Sequence, residues 1–163
     1  MSMNDEFSLL FLGGLIGAGL ASPNPTDIES IKNYRSILQF MENRKSGLGH
    51  FQISPSLFLD KKVFNVLDEA FRMYLNGSNK GASFLCIAIL ESKLREKYGQ
   101  KDFAQLIENA KEGKIISNSE YHFLNALRVD RNFIAHNVFE DFTENAAQIT
   151  FKLTVSLLNN IYK

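Results

Sequence analysis

The amino-acid sequence predicts an all-α protein, an antiparallel bundle of six or seven helices, and three observations carry this prediction. Apolar residues recur at spacings of three and four along most of the chain, which is the periodicity of helices that bury one side. Residues that favour helix N-termini precede these stretches, and glycines follow several of them. No stretch shows the clean apolar–polar alternation of a half-buried strand. Because the connections are short, we expect consecutive helices to lie antiparallel.

The first predicted helix follows two prolines near the N-terminus. Thr26 and Glu29 have the spacing of a capping box, and apolar residues at helical spacing then predict a helix over about residues 27–44. Residues 46–55 contain two glycines and a proline, so they are predicted to form a connector.

Two helices are predicted next, and they differ in how their apolar residues are distributed around the helix. Asp60 or a neighbour caps the first, whose apolar residues keep helical spacing up to Gly77. The second, near residues 79–98, contains the run FLCIAIL, which is apolar on every side. A helix of this kind is buried in the middle of a protein. Cys86 lies within the run and is predicted to be a packing residue of the core.

Three further helices complete the predicted bundle. A short helix fits residues 102–112, and a capping box of Ser117 and Glu120 opens a long helix after it. Thr143 or Asp141 caps the last helix. The apolar stripe of that helix contains Ala147, Phe151, Val155, Leu158 and Tyr162.

Composition excludes several classes of protein. The 163 residues include 18 Lys plus Arg and 18 Asp plus Glu, so the formal net charge is zero, which argues against binding a polyanion over the whole surface. The single cysteine excludes an internal disulfide framework. His50 and His122 lack metal-ligand spacing, so no metal site and no cofactor are predicted.

An uncharged, glycine-rich stretch of 15 residues lies near the N-terminus, at Phe7–Ala21. It is shorter than the roughly 20 residues that span a bilayer, and acidic residues precede it. Gly13 and Gly17 repeat at one-turn spacing and would allow a neighbouring helix to approach closely. We interpret the stretch as a packed segment or dimer contact in a cytoplasmic protein without stable membrane insertion. A membrane-associated anchor, a cleaved signal and an irregular arm are the alternatives.

The long helix that Ser117 opens has an unusual apolar face, with Arg131 in its middle. An arginine in such a place is costly unless it is paired or lies in a cleft. A second stripe, formed by Arg128, Asn132 and His136, follows one edge of the same helix at four-residue spacing. The apolar positions of the face are Phe123, Leu124, Leu127, Ile134, Ala135 and Val138.

These side chains form a plausible set for cleaving RNA without a metal. Histidine can accept or donate a proton near neutral pH. The N–H donors of an arginine guanidinium fit the oxygens of a phosphate and stabilise the negative charge that develops there during the reaction. Asn132 could orient a hydroxyl, a water or the imidazole. Arg131 and His136 are about 140° apart on an ideal helix, so they would meet at a frayed or bulged turn, or across a two-fold axis between two chains.

The residues Arg131-Asn132-Phe133-Ile134-Ala135-His136 form an R-x4-H motif, and with it the sequence resembles the HEPN superfamily. It looks like the branch near the mannitol operon repressor and is similar also to a widespread bacterial domain of unknown function. Upstream, Ala88, Leu90 and Glu91 match the Ala…Leu-Glu run of that branch. The resemblance covers roughly Phe58–Lys163, and it divides the chain into an N-terminal extension, residues 1–55, and a HEPN-like helical domain, residues 56–163.

The resemblance implies a homodimer in which Arg131 and His136 are the catalytic pair and Asn132 is their polar auxiliary. Many HEPN domains are metal-independent endoribonucleases in toxin–antitoxin or phage-defence systems, so RNA and an antitoxin are the implied partners. Repressor-like branches imply the alternative, a non-catalytic module that dimerises and binds nucleic acid or a regulatory partner. The tyrosine that would accept adenylylation in some toxins is replaced by Val138.

Each of these residues also has a purely structural interpretation. Arg131 would form a buried salt bridge with Glu91, and His136 would interact with the dipole at a helix C-terminus. Arg128 either faces solvent or contacts a phosphate. The basic cluster formed by Lys93, Arg95, Lys97 and Lys101 is either a solvated face or a surface for the RNA backbone.

Overall fold

A computed structural model shows that the described part of the chain is entirely helical, which confirms the predicted fold class. The backbone is described over residues 25–136 and 142–162, and side chains within these ranges are described except at 25–31, 130, 131 and 133–136. No strand occurs in these two ranges. The seven helices are α1 (Pro25–Leu48), α2 (Pro55–Leu59), α3 (Lys61–Leu75), α4 (Asn79–Tyr98), α5 (Phe103–Glu112), α6 (Asn118–His136) and α7 (Glu144–Ile161).

The chain divides into two compact units, Met1–Gln52 and Ile53–Lys163. The first contains α1, and the second contains the other six helices. The division predicted after residue 55 lies close to this boundary. The apolar stretch Phe7–Ala21 lies outside the described residues, and no helix within the described ranges has the length and apolarity needed to cross a bilayer.

Two predictions at the N-terminal side of the bundle were wrong. Thr26 lies inside the first turn of α1 instead of capping it, because the helix already includes Pro25, and proline is well suited to the first position of a helix. Residues predicted to end a connector instead begin the short helix α2. There Ser54 is the N-cap, its hydroxyl accepts a hydrogen bond from the backbone N–H of Leu57 at 3.3 Å, and Pro55 follows.

The predicted central helix is confirmed as α4, which contacts α3, α5, α6 and α7. Cys86 and Ile87 are fully buried within it, and only Phe84 of the apolar run is exposed. Burial raises the pKa of the Cys86 thiol to about 12, so this cysteine is an inert packing residue at neutral pH. Because three residues join α3 to α4 and the two helices pack together, they run antiparallel.

Short polar side chains cap the remaining helices, as the sequence predicts for Asp60 and Thr143, whereas Asp102, predicted as the first residue of its helix, is its N-cap. Asp60 accepts from the backbone N–H of Val63 at the start of α3, and Asp102 accepts from that of Gln105 at the start of α5. Thr143 accepts from the N–H of Ala146 and so caps α7. Asp141, the alternative cap, lies outside the described residues. The predicted stripe of α7 is buried at Ala147, Phe151, Val155 and Leu158, and Tyr162 is half-buried.

The carboxylate of Asp60 ties three helices together. Besides capping α3, it accepts a hydrogen bond from the hydroxyl of Tyr162 at the end of α7 and pairs with Lys93 Nζ of α4 at 3.3 Å. These interactions, the Tyr162 hydrogen bond first among them, lower the pKa of Asp60 from 3.8 to about 2. A second bond, from the backbone N–H of Ser54 to Asn159 Oδ1 at 2.9 Å, fixes the same end of α7.

This junction gives a prediction for the pH dependence of stability. A carboxyl group whose pKa is lower in the folded chain stabilises the fold above its unfolded pKa and loses that effect as pH falls toward its folded pKa. We expect Asp60→Asn to lower the free energy of unfolding by about 1–2 kcal/mol at pH 7, since asparagine keeps the cap but not the charge. The difference between wild type and variant should shrink as pH falls from about 4 to about 2.

Urea denaturation at a series of pH values measures this difference. Asp68→Asn is the matched control, because Asp68 makes a single surface pair with Arg72 within α3, and we expect a change below about 0.5 kcal/mol. An Asp60→Asn effect that is equally large at pH 7 and pH 2 would contradict the assignment.

Candidate functional site

The long helix α6 is fixed firmly at its N-terminus. Ser117 and Glu120 form the predicted capping box: the N–H of Ser117 donates to Glu120 Oε2 at 2.7 Å, and the N–H of Glu120 donates to Ser117 Oγ at 3.3 Å. The other oxygen of Glu120 accepts from Asn160 Nδ2 of α7 at 3.4 Å. The start of α6 is therefore joined to α7 by a hydrogen bond.

Two leucines show which side of α6 faces the core. Leu124 and Leu127 are buried, whereas Phe123 is 39% and Val129 58% exposed. The prediction that Phe123 belongs to the buried face was wrong. Phe123 is about 100° around the helix from Leu124 and about 40° from Leu127, so it lies at the margin of the buried face.

The same register gives the positions of the predicted catalytic residues along α6. Position 131 is on the side of Leu124 and Leu127, within about 40° of each, whereas position 136 is on the side that carries the exposed Val129 and Asn132. The side chains of Arg131 and His136 lie outside the described residues, as do Ile134, Ala135 and Val138.

The two other polar residues of the predicted stripe are described. Arg128 is half-buried, and its Nε is buried with no hydrogen-bond partner in the described part of the chain. Asn132, one turn further on, is exposed. Arg128 therefore lies at the border between the core and the surface, with a guanidinium donor that the described residues leave unused.

Across from α6, the central helix α4 carries a buried acid. Glu91 is 5% exposed, and its Oε1 forms an ion pair with Arg95 one turn later at 2.6 Å. A buried carboxylate needs such a partner, because an unpaired one would be costly. Arg95 was not among the predicted site residues. Its spacing of four residues from Glu91 is the feature of the sequence that indicates this ion pair. The Arg131–Glu91 contact stays a prediction, since the side chain of Arg131 is not described.

Glu91 and Arg95 line a surface cavity of about 390 Å³ on the C-terminal half of α4. Two carboxylates and one guanidinium surround it, so a phosphate bound there would need further positive charge. The guanidinium among the lining residues is that of Arg95, and Glu91 already pairs with it. The full lining consists of Ala88, Glu91, Ser92, Arg95, Glu96 and Gln100.

The basic cluster on α4 is largely neutralised by ion pairs. Lys93 is buried for most of its length and pairs with Asp60 and Glu96. Arg95 pairs with Glu91, whereas Lys97 and Lys101 are exposed and form no ion pair with a carboxylate in the described part of the chain. The cluster therefore serves the packing of α4 more than it offers a surface to an RNA backbone.

The described residues do not bring three His, Cys, Asp or Glu side chains together in the way a metal site requires. His122 is exposed on α6, where its ring Nε2 lies 3.4 Å from Asn118 Nδ2, one turn before it. Its environment is therefore that of a surface histidine.

A comparison with protein families finds one family that matches this helical unit. The family described as Domain of unknown function (DUF4145) matches residues 68–163, which is more than half of the chain. The chain belongs to the DUF4145 family. The matched part contains every candidate site residue from Glu91 to His136, so the site lies within the DUF4145 domain, whereas α1 and α2 lie before it. No curated protein and no solved structure matches the chain.

Proposed function

We propose that this DUF4145 protein is a metal-independent endoribonuclease of the HEPN type that acts as a homodimer. The observation that carries the proposal is the sequence Arg131-Asn132-x-x-x-His136 at the end of α6, a capped helix that packs on the helix of the buried Glu91. A cytoplasmic toxin or phage-defence effector, held in check by an antitoxin or regulatory partner, is the biological role that suits such an activity.

In the proposed reaction, the 2′-hydroxyl oxygen of the RNA attacks the adjacent phosphorus atom, and the bond from phosphorus to the 5′-oxygen breaks. His136 accepts the proton of the 2′-hydroxyl as general base and then, as general acid, donates a proton to the departing 5′-oxygen. Arg131 stabilises the negative charge on the pentacoordinate phosphate. Asn132 orients the substrate or the imidazole, and Arg128 contacts a phosphate. The products are a 2′,3′-cyclic phosphate and a 5′-hydroxyl.

The register of α6 favours a dimeric site. Positions 131 and 136 are about 140° apart on the helix, so one straight helix does not present both to the same substrate. The side of α6 that carries position 136 also carries Val129, which is exposed, and Phe123 is exposed on another side of the same helix, about 140° from position 136. An apolar surface of this kind suits contact with another protein surface. A two-fold axis beside this side would bring the positions 136 of the two chains together, so that the R-x4-H residues of both chains contribute to one site.

The same exposed residues also favour the second candidate, a non-catalytic regulatory module that dimerises or binds a partner through α6. Two carboxylates around the cavity on α4 agree with this alternative, because they disfavour a phosphate unless α6 supplies the charge. The two candidates differ in one measurable property, which is cleavage of RNA.

We expect the wild-type protein to cleave single-stranded RNA in the presence of EDTA and Arg131→Ala to do so about 100-fold more slowly. Losses of this size are typical when one donor to a developing oxyanion is removed. Arg131→Lys should recover only part of the rate, since an ammonium lacks the planar fork of the guanidinium. Single-turnover cleavage of a labelled RNA measures the rate.

Arg72→Ala is the matched control, because Arg72 makes a surface pair on α3, outside the proposed site. It should cleave at the wild-type rate. No cleavage by a folded wild-type dimer, over a panel of RNA sequences, would reject the enzyme and leave the regulatory module.

A further inference from the structure

The cavity on the C-terminal half of α4 forms where small side chains lie among long ones. Ala88 and Ser92, four residues apart, leave space on this side of the helix. The longer side chains of Glu91, Arg95 and Glu96 surround that space, and Gln100 lies just beyond the end of the helix. Its volume of about 390 Å³ is within the range of roughly 300–1,000 Å³ that is usual for small-molecule sites.

Both donors and acceptors of hydrogen bonds are available around this space. Glu91 holds the guanidinium of Arg95 through its Nη2 atom, and the Arg95 side chain is still 41% exposed. Glu96 is 61% exposed and uses Oε2 to pair with Lys93, whereas its Oε1 has no partner in the described part of the chain. An oriented set of N–H donors therefore lies beside a carboxylate oxygen that can accept.

The charge of the lining suits a neutral polar group better than an anion. Glu91 neutralises Arg95, and Glu96 adds a second carboxylate, so a phosphate would meet more negative than positive charge. A planar group that accepts from a guanidinium and donates to a carboxylate fits this set. Among the bases of RNA, guanine offers two adjacent acceptors, O6 and N7, and beside them two adjacent donors, N1–H and the N2 amino group. Adenine and cytosine each offer one amino group as donor, and uracil offers one N–H.

We propose that this cavity binds a guanine base of the RNA and so selects the sequence that is cut. Arg95 donates to O6 and N7, and Glu96 accepts from N1–H and the N2 amino group. These neighbouring residues are about 100° apart around α4, so their side chains can approach one base from two adjacent edges. Proteins that read RNA sequence commonly take up unstacked bases of single strands in this way. The inference rests on the proposed function, because the RNA substrate supplies the base and α4 contacts α6, the helix of the R-x4-H motif.

Binding of the four ribonucleoside 5′-monophosphates to the full-length protein tests the site without relying on cleavage. All four carry the same ribose and phosphate, so a difference in affinity reports the base. In NMR titrations, we expect GMP to bind at least about 10-fold more tightly than AMP, CMP or UMP and to shift the backbone amides around Ser92. Glu96→Gln replaces an acceptor with a donor and should reduce the preference to below about 3-fold. Glu69→Gln is the matched control, since Glu69 is exposed on α3 and does not line the cavity, and it should keep the preference.

Ser92→Leu tests the location of the site. Ser92 is exposed, so leucine fills the cavity without entering the core. We expect GMP to bind this variant at least about 10-fold more weakly, with the circular dichroism spectrum of the wild type. Sequencing the fragments of a random RNA pool gives a second readout, in which the wild type cuts next to guanine and Ser92→Leu loses this preference.

The two readouts separate this inference from the proposed function. Selective binding of GMP that Glu96→Gln and Ser92→Leu both reduce is the expected result, and the same binding without cleavage of any RNA would support the guanine site and reject the endoribonuclease. Equal affinities for the four nucleotides, no binding, or a preference for GMP that Glu96→Gln leaves intact would overturn the guanine site. Cleavage of RNA with no preference for guanine would also overturn it and would leave the endoribonuclease in place.

Discussion

His136→Ala is expected to lower the rate of RNA cleavage about 1,000-fold while leaving the fold unchanged. Proton transfer by a positioned side chain contributes roughly 100- to 10,000-fold to a reaction rate, and no other histidine occurs near this end of α6. Position 136 is the last residue of α6, on the side of the exposed Val129 and Asn132, so the substitution removes no residue of the Leu124–Leu127 core face. Single-turnover rates in EDTA, with circular dichroism as a check of the fold, measure the effect.

The chain supplies a matched control for this variant. His122 is an exposed histidine on the same helix, and His122→Ala should cleave RNA at the wild-type rate. Equal rates for the wild type and His136→Ala would show that His136 takes no part in the reaction, and the proposed roles along α6 would then fail together.

Phe151→Ala is expected to lower the free energy of unfolding by about 3–5 kcal/mol. Removing a large buried ring loses its transfer free energy and leaves a cavity that the neighbours fill only partly. Phe151 is 2% exposed on α7, and its ring centre lies 5.7 Å from that of Phe71 on α3. The ring thus fills the space where two of the helices that contact α4 meet. Urea denaturation at pH 7, where Asp60 is ionised in both states, measures the loss.

Phe84 is the appropriate comparison, since it is the same residue type on the central helix but 40% exposed. We expect Phe84→Ala to cost about 1 kcal/mol or less. A similar loss for both variants would mean that Phe151 is not at the centre of the core, and a loss below about 1 kcal/mol for Phe151→Ala would contradict the packing of α7.

Most of the fold followed from local chemistry that a sequence displays. Asp60, Asp102, Ser117 and Thr143 begin helices because a short polar side chain can accept from the free N–H groups of a first turn, and this depends on neighbours in the chain. The apolar run of α4 marked the centre because no other environment suits a helix without a polar side. At α2, the same capping chemistry was present in Ser54 and Pro55, but in only five helical residues, too few for a periodic pattern.

Less of the candidate site could be predicted from the sequence, because the site depends on which charged side chains lie close together in the folded chain. The basic cluster of α4 suggested a surface for RNA, yet Lys93 pairs with Asp60, 33 residues before it in the chain. Such a pairing has no local signature. The sequence predicts that Glu91 is a buried acid, which is confirmed, but it assigns Arg95, the partner of Glu91 one turn away, to the basic cluster. Likewise, the exposure of Phe123 depends on how α6 is rotated against the core.

The neutral charge of the chain has a consequence for how it would hold RNA. With 18 positive and 18 negative residues, and with Lys93 and Arg95 occupied by carboxylates, nonspecific attraction to a polyanion is weak. A substrate would be held mainly by Arg128 and Arg131, doubled in a dimer, so the dependence of affinity on salt should be that of only a few phosphate contacts.

The chemical ends of the cleaved RNA test the central claim most directly. A labelled RNA incubated with the wild-type protein in EDTA, and analysed by mass spectrometry, should yield fragments that end in a 2′,3′-cyclic phosphate and begin with a 5′-hydroxyl. A substrate with a single 2′-deoxy substitution at the cleavage position should resist cleavage there. Fragments with 3′-hydroxyl and 5′-phosphate ends, or cleavage that persists at the deoxy position, would contradict attack by the 2′-hydroxyl and with it the roles given to Arg131 and His136.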